Sequence, residues 1–286
     1  MDSMPETNEF RPNQRVLNAF VPWIEQNVFD RQHARNWARL YRADPEAAMC
    51  EATVWAVLND CNVTVAPNAD LTGRKAAPDF LCHKDGSKFY VEATCIRSDT
   101  ATRGTALASI PCPGSSAGWY RPLNDAIFQE CVNKTGQCAN LDAPCVLAVG
   151  TFHHQASVLG VQKTFIEWLL TGETRIAWDF DPERGECVGE PYQITDFRSA
   201  AFTRRSKLEG IEHARHPISA LLVGGFGCQP VRVYGVVHPN PVREFDPIHL
   251  HRIPFCLQRI DVQTATVSTE WVQTPDDWHE QARRLG

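Results

Sequence analysis

The stretch APDFLCHKDGSKFYVEATCI (residues 77–96) carries two acidic side chains within a pattern that predicts two short apolar strands. Asp79 lies in the first strand and Glu92 in the second, and Asp85-Gly86 between them is a dipeptide typical of two-residue hairpin turns. With this turn, the numbers of paired residues add up to 171, so Asp79 lies directly across from Glu92. Directly opposed side chains share one face of the sheet, with Cβ atoms roughly 4.5–5.5 Å apart.

Two carboxylates this close repel each other unless a proton or a cation lies between them. A divalent metal that prefers oxygen ligands, Mg²⁺ or Mn²⁺, would satisfy both groups. The alternative is a hairpin at the edge of a sheet, with both acids in water. The hairpin alone does not decide between these two interpretations.

The preceding segment predicts a helix that begins at Asp44 as N-cap and has Pro45 in its first turn. At about 100° per residue, Glu51 falls inside the apolar arc of this helix. The arc is formed by Ala48, Ala52, Trp55 and Leu58. A carboxylate on a core-facing surface needs a cation, a metal or a hydrogen-bond donor. The alternative is that an arginine neutralises Glu51 in a purely structural role.

These residues carry a family resemblance. Glu51, Pro78-Asp79 and Glu92-Ala93-Thr94 lie in a predicted order of helix, three-strand meander, helix and strand. Motif and order together resemble the PD-(D/E)XK restriction-endonuclease-like phosphodiesterases over roughly residues 44–152. The resemblance implies that Asp79 and Glu92 hold Mg²⁺ or Mn²⁺, with Glu51 as a further or water-mediated ligand.

The sequence departs from that family at Thr94, which stands where the family has a lysine. The lysine orients the attacking water and offsets charge in the transition state, whereas threonine only offers a hydrogen bond. On the following predicted helix, the spacing Lys134-x-x-Gln137 resembles the arrangement in relatives whose lysine has moved to this helix. The resemblance therefore implies Lys134, Glu92, Asp79 and Thr94 as catalytic residues. The alternative is that Lys134 extends from an amphipathic helix into water.

The net charge of −6 argues against a general field that attracts polyanions. Contacts to nucleic acid would then come from local basic groups, and the candidates are Arg97, Arg103, Arg204 and Arg205. Such side chains position a phosphate backbone without recognising its sequence. A solvated charged surface is the alternative for all four.

The eleven cysteines form no C-x-x-C pair, which argues against a structural zinc site. The amino-terminal segment has no apolar stretch typical of a secretory signal, and no run is long enough to cross a bilayer. These features predict a cytoplasmic protein with reduced thiols and no membrane partner.

The expected fold is α/β, with a restriction-endonuclease-like core and helical N-terminal and β-rich C-terminal extensions. The boundaries predicted are an N-terminal tail and helices over 1–43, the core over 44–172, and the C-terminal extension over 173–286, packed on the core as one domain. The Ser-, Thr-, Gly- and Pro-rich residues 97–122 are predicted to form a long loop.

Three functions compete at this stage. The first is metal-dependent hydrolysis of a phosphodiester in nucleic acid, with DNA favoured over RNA as the substrate. The second is a catalytically silent member of the same superfamily that binds nucleic acid or a protein partner. The third is an unrelated intracellular α/β protein whose acids are structural.

Overall fold

The structure is a computed structural model of the 286-residue chain. It describes residues 10, 12–26, 32–68, 77–107, 118–205, 210–261 and 266–272. The α-helices of this part are α1 (Gln14–Gln26), α2 (Gln32–Ala43), α3 (Pro45–Asp60), α4 (Ser98–Thr105), α5 (Arg121–Lys134), α6 (His154–Gly160) and α7 (Lys163–Thr171). A short 3-10 helix spans Pro247–Leu250. None of the described helices is long and apolar enough to cross a membrane.

The strands of the described residues are β1 (Thr64–Pro67), β2 (Phe80–Lys84), β3 (Ser87–Cys95), β4 (Cys145–Thr151), β5 (Glu173–Asp181), β6 (Glu186–Asp196), β7 (Thr203–Arg205), β8 (Ile211–His213), β9 (Ala220–Gly225), β10 (Arg232–Val237), β11 (Phe255–Asp261) and β12 (Thr266–Trp271). Eight of them form one mixed sheet in the order β1-β2-β3-β4-β9-β10-β11-β12. The predicted mixed α/β fold is confirmed. Strands β9 to β12, from the C-terminal part of the chain, continue the sheet that β1 to β4 begin.

Alternate residues of β4 face two separate apolar cores, one on each side of the sheet. Val146 and Ala148 pack with α1, α2 and α3, whereas Leu147 and Val149 pack with α5 and α7. Every residue of β4 is buried, as expected for a parallel strand covered on both faces. The sheet is therefore the middle layer between two groups of helices.

The hairpin has the register that its turn predicts. Strand β2 pairs with β3 from Phe80–Val91 to Lys84–Ser87, so the residue numbers of each pair add up to 171. Asp85 and Gly86 have φ values of 49° and 79°, the left-handed conformation that a two-residue turn of this hand requires at both positions. Strand β1 pairs antiparallel with β2, which completes the predicted three-strand meander.

Helix α3 begins as predicted. The side chain of Asp44 accepts a hydrogen bond from the backbone N–H of Ala47 at 3.2 Å, and Pro45 occupies the first turn. All four residues of the predicted apolar arc are buried. The sequence pattern therefore orients α3 correctly, with Glu51 on its inward side.

The prediction of a long loop over 97–122 is wrong for part of the segment, because α4 occupies Ser98–Thr105. The composition of this segment favours a loop, but a distant residue stabilises the N-terminus of α4. Glu46 accepts hydrogen bonds from the backbone N–H of Ser98 at 2.8 Å and from the Ser98 hydroxyl at 3.2 Å. Ala101 and Thr105 are buried on the core side. Tertiary contacts thus outweigh a weak intrinsic helix propensity. Residues 108–117 of the segment lie outside the described residues.

Candidate active site

Glu92 is the centre of a buried hydrogen-bonded group. Its side chain is only 2% exposed, and both of its oxygens accept hydrogen bonds from the region of α5. Lys134 Nζ donates to Oε1 at 2.7 Å, and Gln137 Nε2 donates to Oε2 at 2.7 Å. Lys134 Nζ also lies 3.3 Å from Gln137 Oε1, which closes the ring of contacts. The amine of Lys134 thus reaches Glu92 instead of extending into water.

Asp79 lies beside this group. It precedes β2 by one residue, so the prediction that it belongs to the first strand is wrong, because the pairing with β3 ends at Phe80–Val91. Its Oδ2 accepts a hydrogen bond from the backbone N–H of Ala93 at 2.8 Å, which fixes the carboxylate next to Glu92. Burial raises the pKa of Asp79 to about 6, although the Ala93 N–H and the charge of Lys134 oppose the shift. Burial and the charge of Asp79 raise the pKa of Glu92 to about 8, against the opposing effect of Lys134. The two carboxylates therefore compete for the same positive charge.

Glu51 adds a third carboxylate from α3. Burial first, and then the charges of Asp79 and Glu92, raise its pKa well above the ordinary value for glutamate. Within the described part of the chain, Glu51 has no hydrogen-bond donor and no basic partner in an ion pair. Among the described residues, therefore, no arginine neutralises Glu51 as the structural alternative requires.

Thr94 points to a fourth acid, Glu130, which the sequence pattern did not single out. The Thr94 hydroxyl donates to Glu130 Oε2 at 3.0 Å, so the side chain at the family's lysine position is engaged by α5. Burial lowers the pKa of Lys134, but the carboxylates of Glu92, Asp79 and Glu130 outweigh this effect and raise it above its ordinary value. Lys134 is therefore a cation at neutral pH. Glu130 lies one helical turn before Lys134 on α5, but this spacing alone does not show that Glu130 meets Thr94 of β3.

The four arginines predicted to contact nucleic acid are engaged locally. Arg97 pairs with Asp44 at 2.5 Å, Arg103 with Asp99 at 3.0 Å, and Arg204 with Glu212 at 2.5 Å. Arg205 donates to the Thr195 carbonyl at 3.3 Å. They lie beside or on α4 and on β7, and three of the four positive charges are offset by an acid.

The carboxylates of the site are the type of ligand that a hard divalent cation prefers, but the present hydrogen bonds of Glu92 do not leave it free to bind one. Carboxylate oxygens are the ligands that Mg²⁺ and Mn²⁺ prefer, and Glu51 offers a carboxylate with no protein donor among the described residues. Both oxygens of Glu92, however, are bonded to Lys134 and Gln137. No group of three or more His, Cys, Asp or Glu side chains in the described ranges is arranged to hold a metal ion. Metal binding would therefore require Glu92 to exchange at least one of these contacts.

Glu51→Gln should leave the melting temperature unchanged or raise it, because the change removes one charge from a group of three mutually repelling carboxylates. Metal-dependent activity should fall about 10- to 100-fold, as when a supporting ligand is lost. Thermal unfolding and a cleavage assay check the two parts. Glu190→Gln, the same chemical change at an exposed position, is the matched control. A large loss of stability would assign Glu51 to a structural contact.

The metal-free protein should lose stability as the pH rises from about 6.5 to 8. In the unfolded chain Glu51, Asp79 and Glu92 are all ionised in this range. In the folded protein, burial raises all three pKa values, that of Glu92 to about 8, so the three acids share a bound proton. Unfolding releases this proton, and the free energy of unfolding falls with pH. The window lies above the ordinary histidine pKa and below that of cysteine. Mg²⁺ should flatten the dependence, and Glu92→Gln should make it shallower. A melting temperature that stays constant or rises over this interval without metal would contradict the shared protonation.

Comparison of the chain with protein-family models, with curated proteins and with solved structures finds no match.

Proposed function

We propose that this protein is a metal-dependent phosphodiesterase that hydrolyses nucleic acid, with DNA as the preferred substrate over RNA. The observation that carries the proposal is the contact of Lys134 Nζ with Glu92 at 2.7 Å, beside Asp79. A protonated amine held against two buried acids is the arrangement that the PD-(D/E)XK resemblance requires once its usual lysine position is occupied by Thr94.

The order of elements supports the same assignment. Helix α3 with Glu51 precedes the β1–β2–β3 meander with Asp79 and Glu92, and α5 with Lys134 precedes β4. This is the order helix, three strands, helix and strand that the resemblance implies, with α4 inserted after β3. The candidate residues come from α3, β3 and α5 and from the position just before β2.

Asp79, Glu92 and Glu51 are the residues that would hold Mg²⁺ or Mn²⁺. When bound, the ion would polarise the phosphate and lower the pKa of a water to generate the nucleophile. The Ala93 N–H fixes Asp79, so this carboxylate needs no reorganisation. Gln137 accepts a hydrogen bond from Lys134 and donates one to Glu92. A third hydrogen bond, from its Nε2 to the Ala77 carbonyl at 3.1 Å, ties this contact to the residues just before Asp79.

Lys134 would supply the positive charge that Thr94 lacks. Because its pKa is raised, the amine stays protonated at neutral pH and can donate a hydrogen bond to the attacking water or to a non-bridging phosphate oxygen. Thr94 donates its hydroxyl to Glu130, so its role is to support α5 against β3.

The test is cleavage of end-labelled single- and double-stranded DNA and RNA with Mg²⁺ or Mn²⁺, with EDTA as the metal-free control. We expect metal-dependent products, with DNA cut faster than RNA. Products that form equally in EDTA, or no products in any metal, would contradict the proposal. Asp85→Asn on the same hairpin is the matched active control, since the exposed turn residue tolerates asparagine in its left-handed conformation.

A catalytically silent binding protein is the second candidate. It is favoured by the absence of a preformed three-ligand group among the described residues and by the ion pair that already satisfies Glu92. Binding of the same nucleic acids without cleavage in any metal would identify it. The structural-acid interpretation would instead give neither binding nor cleavage.

A further inference from the structure

Helix α2 presents an arginine face. Its sequence, QHARNWARLYRA, contains no acidic residue. Arg35, Arg39 and Arg42 follow the spacing i, i+4 and i+7, which places them within an arc of about 60° on one side of the helix. All three are exposed. At about 1.5 Å per residue the face spans about 10 Å.

The opposite side of α2 is fixed in the protein core. Trp37 is buried, and its Nε1 donates to the Ala48 carbonyl of α3 at 3.1 Å. The Trp37 ring packs against Phe20 of α1 and stacks on Tyr41, with centroids 5.1 and 5.3 Å away. The arginine face is therefore carried by a firmly anchored helix, and the apolar side of α2 is not available to enter a bilayer.

No acid of the described residues offsets the charges of this face. Across the described residues, none of Arg35, Arg39 and Arg42 forms an ion pair with an acid, and Arg39 only donates to Asn36 Oδ1 at 3.4 Å. Some exposed arginines elsewhere do have acidic partners, such as Arg184 with Asp181 and Arg198 with Asp196. On a chain with a net charge of −6, three adjacent uncompensated cations make a local site for a polyanion.

We infer that the arginine face of α2 is the surface on which the phosphate backbone of the nucleic acid docks. The inference rests on the proposed function, because it assigns this surface to the substrate of the Lys134–Glu92 site. The 10 Å span covers about three nucleotides of one strand at about 3.4 Å each. Helix α2 ends at Ala43, the next residue caps α3, and Glu51 follows about two turns into α3.

The surroundings of the arginines favour nucleic acid over two other negatively charged partners, a membrane surface and an acidic protein. A basic helix that binds a membrane surface uses its apolar side as the anchor, and here that side is buried around Trp37. An acidic protein would require complementary apolar contact at the centre of an interface, and the exposed side of α2 offers none between the arginines. A row of exposed guanidinium groups without apolar neighbours suits a phosphate backbone, because each can donate two hydrogen bonds to a phosphate.

The experiment measures binding in EDTA, where cleavage cannot occur. Fluorescence anisotropy of a labelled DNA duplex and a labelled single strand is recorded across NaCl concentrations for the wild type and for the triple variant R35Q/R39Q/R42Q. The control is R184Q/R198Q/R259Q, which removes three exposed positive charges that already have acidic partners. Both triple variants change the net charge equally, and glutamine keeps a helix propensity close to that of arginine.

The α2 variant should bind at least about tenfold more weakly at low salt, and its slope of log K against log salt should fall by about 2–3. The control should bind like the wild type. Equal losses in both variants, an unchanged slope in the α2 variant, or no binding by the wild type would overturn the inference. Binding by the wild type to phosphatidylserine vesicles, but not to DNA, would reassign the surface to a membrane. Docking through α2 without cleavage in Mg²⁺ would refute the proposed function alone.

Discussion

Replacing Lys134 by alanine is expected to reduce metal-dependent cleavage by about 10²–10³-fold while Mn²⁺ binding persists. The amine contacts Glu92 Oε1 at 2.7 Å, so its loss removes the one cation held beside the two buried acids within the described residues. Single-turnover cleavage and Mn²⁺ titration of the same protein separate the two effects. Lys88→Ala is the matched control, since Lys88 lies on the same strand as Glu92 but pairs with Asp142 at 2.7 Å on the surface.

A lysine placed on β3 should restore part of the positive charge that Lys134→Ala removes. Thr94 lies two residues after Glu92, so a lysine there points to the same face of the strand. Glu130 would capture that lysine, because its carboxylate already binds the Thr94 hydroxyl at 3.0 Å. The rescue therefore combines Thr94→Lys and Glu130→Gln with Lys134→Ala. Partial recovery of cleavage supports the transfer of the lysine role to α5. A fully active Lys134→Ala protein would reject that role.

An inactive wild type that gains activity only with Thr94→Lys would have a different meaning. It would show that the acids can support the reaction and that Lys134 does not supply the missing charge. The protein would then be a silent member of the superfamily, and binding would become its primary function.

Asp79→Asn is expected to weaken Mn²⁺ binding by at least about 100-fold and cleavage by at least about 10³-fold, because several kcal/mol of charge stabilisation is lost. Asparagine keeps an oxygen that can accept the Ala93 N–H, so the hairpin should remain folded. Calorimetric Mn²⁺ titration and thermal unfolding measure binding and stability on one preparation. Asp85→Asn on the same hairpin should behave like the wild type. Equal Mn²⁺ affinity in both variants would remove Asp79 from the metal site.

Local chemistry explains what could be predicted from the sequence. The Asp85-Gly86 turn determines the register of β2 against β3, because its two residues take the left-handed conformation that such a turn requires. The Asp44 cap and the apolar arc of α3 orient Glu51 in the same way. These interactions span a few residues, so composition and spacing contain enough information to find them.

The rest depends on contacts between distant segments. Helix α4 forms where composition favours a loop, because Glu46, 52 residues before Ser98, binds its first backbone N–H. Glu130 joins the site only because α5 packs on β3, and spacing within α5 does not reveal which strand it meets. The predicted basic residues illustrate the same limit: a sequence shows that Arg97 is a cation but not that Asp44 neutralises it.

The arginine face of α2 was missed for a related reason. The predicted arginines lie after Glu92 in the sequence, and three of the four have acidic partners. Arg35, Arg39 and Arg42, which have no acidic partner among the described residues, lie on α2, which precedes the core motif and packs on α3 through Trp37. Charge counts along a chain do not distinguish paired from unpaired cations.

An anomalous-scattering map of crystals soaked in Mn²⁺ would show directly whether these carboxylates bind a metal. We expect a Mn²⁺ peak bounded by the carboxylates of Asp79, Glu92 and Glu51, with Lys134 still within hydrogen-bond distance of Glu92 and not bound to the ion. The peak should be absent in Asp79→Asn crystals treated identically. A saturating soak that leaves the three carboxylates without a peak, and Glu92 still bonded to Lys134 and Gln137, would contradict the account.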